Sequence, residues 1–295
     1  MRSVPLESAL VEGERFVPVV TGLGLTEAPW YDAEAGAVCF SDVTQGGVWR
    51  YFPDSGEVEQ VVAHRRGIGG LVGNADGRLL IAGKTVALKD LGSAATDIVC
   101  SPDDVGEGVI GFNDLCADAA GRVYVGALTF LPLSGRPSPG AICVIERDRR
   151  MRVVADDVVL PNGMAFDPDS SLLYVCDSEL GHVAVYRCAA NGDLELAHTI
   201  PCADGGRPDG LALTTDGSLW VAQADGAVVD VLDVSGEVHA RWPFPGGAVT
   251  NLCFGGPRFD TLFATGGGIP PDDRPGGLWA TRTSATGRGV ARAAV

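Results

Sequence analysis

One phrase recurs six times along this chain, and it limits the fold more than any other feature. A turn is followed by an aliphatic residue beside a bulky one and then by small residues: AGAVCFSD, DGRLLIAG, AGRVYVGA, SSLLYVCD, DGSLWVAQ and FDTLFATG. With Cys39, Leu80, Tyr124, Tyr174, Trp220 and Phe263 taken as equivalent, the spacings are 41, 44, 50, 46 and 43 residues. Such a period is too long for a leucine-rich repeat and suits a four-stranded propeller blade. After most of these phrases comes a more alternating pair of runs around a Gly- or Asp-rich turn, as in VWRYFPDSGEVEQVV and VAVYRCAANGDLELAHTI. That pattern signals a hairpin. Each unit therefore supplies an apolar inner pair and a more polar outer pair of strands. The expected fold is all-β, a single six-bladed β-propeller of four-stranded blades over residues 1–295. The sixth unit is short, running from GLWATRT into the polar tail SATGRGVARAAV, while the N-terminal run RFVPVV has no hairpin partner. That run is expected to join the last blade and close it. An open β-rich solenoid is the alternative arrangement of the same repeats. No apolar period of 3.6 persists for three turns, so very little helix is expected.

Composition narrows the class of function. Asp and Glu number 38 against 22 Lys and Arg, a net charge of −16 that repels polyphosphate and favours cations or neutral ligands. Nucleic acid is not an expected partner; a small-molecule substrate is. The first twenty residues have acidic positions and no apolar core of a secretory signal, and no run reaches the length of a membrane span. The reading is a cytoplasmic protein without membrane association. Eight dispersed cysteines form no C-x-x-C pair, and most are expected to be small buried hydrophobes. His64, His182, His198 and His239 lie in different units and are assigned surface or packing roles. No G-x-S-x-G elbow or H-E-x-x-H is present. A G-x-G-x-x-G match at Gly106–Gly111 opens no helix, which a phosphate loop requires.

Four polar residues flanked by Pro or Gly stand just before the inner strands: Glu27 in LTEAPWYD, Asn113 in GFNDLCAD, Asn162 in LPNGMAFDPD and Asp209 in RPDGLALTTDG. Each precedes the turn of its unit by a similar distance, so equivalent positions would bring the four together at one end of the repeats. Converging oxygen ligands are what hard divalent cations require. Asn, Asp and Gly also make turns for purely structural reasons, and that reading applies to each site alone.

At these residues the chain resembles the gluconolactonase/regucalcin superfamily, which includes the luciferin-regenerating enzyme. The likeness covers nearly the whole chain and is most specific in LTEAPWYD, FNDLCADAAGRVYVGA, LPNGMAFDPDSSLLYVCDS and GRPDGLALTTDGSLWVA. The resemblance implies one divalent metal ion, Ca²⁺ or else Mn²⁺, Mg²⁺ or Zn²⁺, on Glu27, Asn162 and Asp209, with Asn113 beside the substrate. It also implies metal-assisted lactone hydrolysis with Asp209 as the general base. Sugar-lactone members carry Arg-x-Asn-Asp-Gly around the central Asn; here Gly111, Phe112, Asn113, Asp114 and Leu115 replace it, and a polar clamp is lost. The insertion TFLPLSGRPSPG adds Phe130, Leu131 and Leu133 as an apolar lid. Gly111, Phe112, Leu115, Phe130 and Leu131 are therefore expected to line a pocket for a lactone less polar than gluconolactone. Two other readings use the same scaffold: a metal-dependent non-hydrolytic reaction such as a cyclisation or isomerisation, and a calcium-binding regulatory propeller.

Overall fold

The computed structural model describes residues 1–10, 15–93, 95–132 and 134–295, at residue 204 the backbone alone. Its sheets are the six blades of a β-propeller. Five are four-stranded antiparallel sheets, and the sixth has five strands. Among the described residues the only α-helix is the four-residue segment Leu6–Ala9. Among the described residues no helix is long and apolar enough to cross a membrane.

The repeated phrase marks the hairpin between the first two strands of each blade. Gly36, Gly77, Gly121 and Gly217 close four of these hairpins at φ between 62° and 88°, a region glycine enters without steric cost. The fourth blade has no glycine there, and Ser170 takes φ 59° instead. Five of the six second strands are buried along their whole length, as in Ala37–Asp42 and Val123–Leu128, and in the fourth only Leu172 is partly exposed, because both faces meet neighbouring layers. The outermost strands alternate, as in Val238–Pro243, since one face meets water. Apolar inner and polar outer pairs are thus two burial regimes of one sheet.

The chain divides into two compact units. One comprises Met1–Gly67 with Asp209–Gly289 and carries the first, fifth and sixth blades. The N-terminal strand Val17–Leu23 pairs antiparallel with Gly276–Arg282 and completes the sixth blade, as the unpartnered RFVPVV required. The first strand of the sixth blade, Ala248–Gly255, packs against that of the first, Thr26–Asp32. A buried hydroxyl network joins them. Thr26 Oγ1 donates to the carbonyl of Gly277 at 2.5 Å and accepts the Gly266 N–H at 3.0 Å, and Thr250 Oγ1 donates to Thr26 O at 2.7 Å. Aromatic edges fill the layer between the fifth and sixth blades, where Trp220 meets Phe254 and Phe244 meets Trp279.

The other unit comprises Ile68–Pro208 with Val290–Val295 and carries the second, third and fourth blades. The first strand of the third blade, Gly111–Ala117, packs against Gly70–Gly73 on one side and Pro161–Phe166 on the other. Tyr124, Ile142, Leu173 and Tyr186 fill the layer between the third and fourth blades and are fully buried.

The tail is not loose. In the first unit Thr286 O accepts the Thr215 N–H at 2.8 Å. In the second, Ala293 is fully buried and Ala294 N donates to Gly121 O at 2.9 Å. None of the eight cysteines forms a disulfide, and six of them are buried. His64, His198 and His239 are exposed and His182 is half-buried.

Candidate active site

Each predicted polar residue lies at the start of the first strand of its blade, and most lie at or beside a bulge. In the third blade Phe112 faces Ala127 and Leu115 faces Val125, so Asn113 and Asp114 together oppose one residue, Gly126. In the fourth blade Pro161 faces Asp177 and Met164 faces Val175, and Asn162 with Gly163 opposes Cys176 alone. An extra residue leaves the ladder locally unpaired and re-aims the side chains that flank it. Local side chains satisfy the backbone groups so released, as when Asp114 Oδ1 accepts the Leu115 N–H at 2.8 Å.

In this unit the two asparagines occupy the same register position on neighbouring strands. Asn113 Nδ2 donates to Pro161 O at 3.1 Å, and Asn162 Nδ2 donates to Ser178 Oγ at 3.1 Å. An amide whose NH₂ end is held by the protein presents its carbonyl oxygen to a ligand. Both residues are half-buried. Gly69 leaves room for the arrangement: a Cβ there would stand 2.5 Å from Asn113 Oδ1. Asp177, fully buried, accepts the N–H groups of Val159 (2.7 Å) and Leu160 (3.2 Å), which lead into Asn162.

In the other unit Glu27 departs from the expected equivalence by one residue. It faces Ser41, and the bulge falls on Ala28 and Pro29, so Ala28 is the register counterpart of Asn113 and Asn162. In a regular strand this offset would turn the side chain to the opposite face. The alternation breaks here, because Ala28 is left-handed at φ 54° and its N–H is taken by Glu27 Oε2 at 3.1 Å. Asp209 is half-buried in Pro208–Leu213, where PDGLAL parallels PNGMAF of the fourth blade. Gly210 behind it has no room for a side chain: a Cβ would lie 2.1 Å from Asn251 Oδ1.

The five apolar or small positions divide. Phe112 and Leu115 are buried on either side of the bulge. Gly111 lies under the second blade, where a Cβ would approach Gly83 O at 3.0 Å. Phe130 is not displayed as a lid surface; it packs beneath its loop against Leu128 and Leu160. Leu131 is 62% exposed, and Leu133 lies outside the described residues. Ser178, Asp177, Gly69 and Gly210 were not singled out by sequence reasoning. Asp177 had a signal in the parallel between SD at Ser41–Asp42 and CD at Cys176–Asp177, since Asp42 caps the corresponding turn through Thr44 and Gln45.

Residues 25–267 match the SMP-30/Gluconolactonase/LRE-like region. The chain belongs to this family. Pentonolactonase XacC of Haloferax volcanii, a relative, is 29% identical over 92% of this chain and 94% of its own. Two solved structures share the fold. A luciferin-regenerating enzyme superposes with a TM-score of 0.83 at 19% identity, covering 96% of this chain and 100% of that one. Regucalcin of Agrobacterium tumefaciens superposes with a TM-score of 0.76 at 19% identity, covering 92% and 94%. Membership of the SMP-30/gluconolactonase family, with a lactonase related along nearly the full length, supports a lactone hydrolase.

Proposed function

We propose that the protein opens a lactone or related cyclic ester with one divalent metal ion held by Glu27, Asn162 and Asp209. The observation that carries this reading is the state of the two amides: the NH₂ ends of Asn113 and Asn162 are both held by protein acceptors. The carbonyl oxygen of Asn162 with the carboxylates of Glu27 and Asp209 would give an all-oxygen donor set, which suits Ca²⁺, Mg²⁺ or Mn²⁺ and admits Zn²⁺. The chemistry such an ion supplies is Lewis-acid polarisation of the lactone carbonyl.

The remaining work falls to side chains. Asp209 takes a proton from the water that attacks the carbonyl carbon and returns it to the ring oxygen as the acyl C–O bond breaks, so that this oxygen leaves as the hydroxyl of a hydroxy acid. Asn113 Oδ1 accepts a hydrogen bond from the substrate. Gly111 stands where sugar-lactone members carry the clamping Arg, and Leu131 is exposed on a loop that Phe130 anchors. These features favour a substrate less polar than gluconolactone.

The test is a lactone panel, from gluconolactone to hydrophobic γ- and δ-lactones, on chelator-stripped protein with and without each metal. Turnover should return with metal and favour the apolar members. Asp209→Asn should lower it by more than ~100-fold with little unfolding. Full activity in that variant, or in stripped protein, would overturn the mechanism.

A further inference from the structure

The hydrogen bonds of the third and fourth blades follow a rule that the ligand set does not require. The amide of Asn113 donates to the carbonyl of Pro161, the residue before Asn162. The amide of Asn162 reaches the carbonyl of Pro208, the residue before Asp209, through one intermediary: Asn162 Nδ2 donates to Ser178 Oγ at 3.1 Å, and Ser178 Oγ donates to Pro208 O at 2.6 Å. A serine hydroxyl has one proton to donate and lone pairs to accept. With its proton on Pro208 O, Ser178 meets Asn162 as an acceptor, and only the NH₂ end of the amide satisfies it. Ser178 is buried, 7% exposed, which limits competition from water.

We infer that Ser178 is a positioning residue: it fixes which end of the Asn162 amide is turned away from the protein and ties that choice to the carbonyl preceding Asp209. In an oxygen-ligand site the orientation decides whether Asn162 presents a donor atom or an NH₂ group. This inference rests on the metal reading only for its consequence in affinity. The orientation itself is a property of the protein without metal.

Two measurements separate the two. In metal-free protein the Asn162 side-chain NH₂ resonances should show slow exchange with solvent. Ser178→Ala should speed that exchange at least ~10-fold, and Ser178→Thr, which keeps the hydroxyl, should restore it. Unchanged exchange in Ser178→Ala overturns the inference. Calorimetric titration of Mn²⁺ into stripped protein should show affinity ~10–100-fold weaker in Ser178→Ala, as when an outer partner of a ligand is removed, with recovery in Ser178→Thr. Ser178→Cys, whose thiol is a weaker acceptor of similar size, should fall between them and serves if the alanine variant does not fold. Equal Mn²⁺ affinity in wild type and Ser178→Ala overturns the inference and leaves the metal reading standing. If the wild type takes up no Mn²⁺, Ca²⁺, Mg²⁺ or Zn²⁺, the metal reading falls and the exchange result alone decides the role of Ser178.

Discussion

Replacing Asp177 with Ala tests whether one buried carboxylate sets the entry to the fourth blade. Asp177 Oδ2 accepts Val159 N at 2.7 Å, while Oδ1 accepts Leu160 N at 3.2 Å and the N–H groups of Glu179 and Leu180 at 3.1 Å each. These four bonds do not count equally. The Leu180 turn is exposed and Glu179 half-exposed, so water replaces the acceptor there at about 0.5 kcal/mol each. The short bond to half-buried Val159 contributes about 1–2 kcal/mol, and Leu160, buried, is left with an orphan N–H at a cost of about 2 kcal/mol. The sum is about 4 kcal/mol, which for a chain of this size lowers the melting temperature by roughly 8 °C. Asn is the sharper control. It keeps the three bonds of Oδ1 but sets an NH₂ against the Val159 N–H, donor to donor, so it should cost about 2 kcal/mol, or roughly 4 °C. Thermal unfolding followed by far-UV circular dichroism reads both. A loss under ~2 °C for Ala, or a greater loss for Asn than for Ala, would refute this account of Asp177.

Gly210→Ala should destabilise the protein by at least about 2 kcal/mol, because the new methyl would fall 2.4 Å from Asn251 Cα, backbone that cannot move aside; a urea midpoint equal to wild type would refute this. Acid stability should depend on Asp76. Partial burial opposes its ionisation, but hydrogen bonds from Arg78 and Asn74 outweigh that and bring the carboxyl down to about 2 from 3.8. The depressed value means its contribution is present above pH 3.8 and lost as pH falls toward 2. With the carboxylate 43% exposed this is under about 1 kcal/mol, and Asp76→Asn should narrow the stability difference between pH 5 and pH 2 accordingly, in urea titrations at the two pH values. At pH 8 an alkylating reagent should modify only Cys188 and Cys202 in native protein and all eight thiols in urea, since six are buried and burial pushes Cys100 and Cys143 up to about 12. Intact mass counts the adducts.

The blades were legible because their signals are local. A tight turn beside a run of apolar residues specifies a hairpin wherever it occurs, and six such hairpins at a 41–50-residue spacing leave few architectures. The fourth unit shows that the phrase works through conformation, since Ser170 adopts the glycine's φ without being glycine. The tail escaped because its partners are distant backbone groups: Ala293 hydrogen-bonds with Gly73 and Ala75, more than 200 residues away, and nothing in GVARAAV records them.

The strand positions of the candidate residues were legible, and their register was not. Counting from the turn places Glu27, Asn113, Asn162 and Asp209 at similar distances, but a bulge adds a residue to one strand only, and its position is defined by the partner strand. That is why Glu27, in the same kind of motif, stands one residue ahead of Asn113 and Asn162. The bulge also explains why Pro and Gly flank these residues. Pro161 and Pro208 have no N–H to offer the ladder, so their carbonyls are the groups left to be satisfied, and the neighbouring blade satisfies them with Asn113 and Ser178. The carbonyls of these two flanking prolines are acceptors for side chains of the blade before them. The position to vary when altering such a site is therefore the donor on the preceding blade as much as the ligand itself.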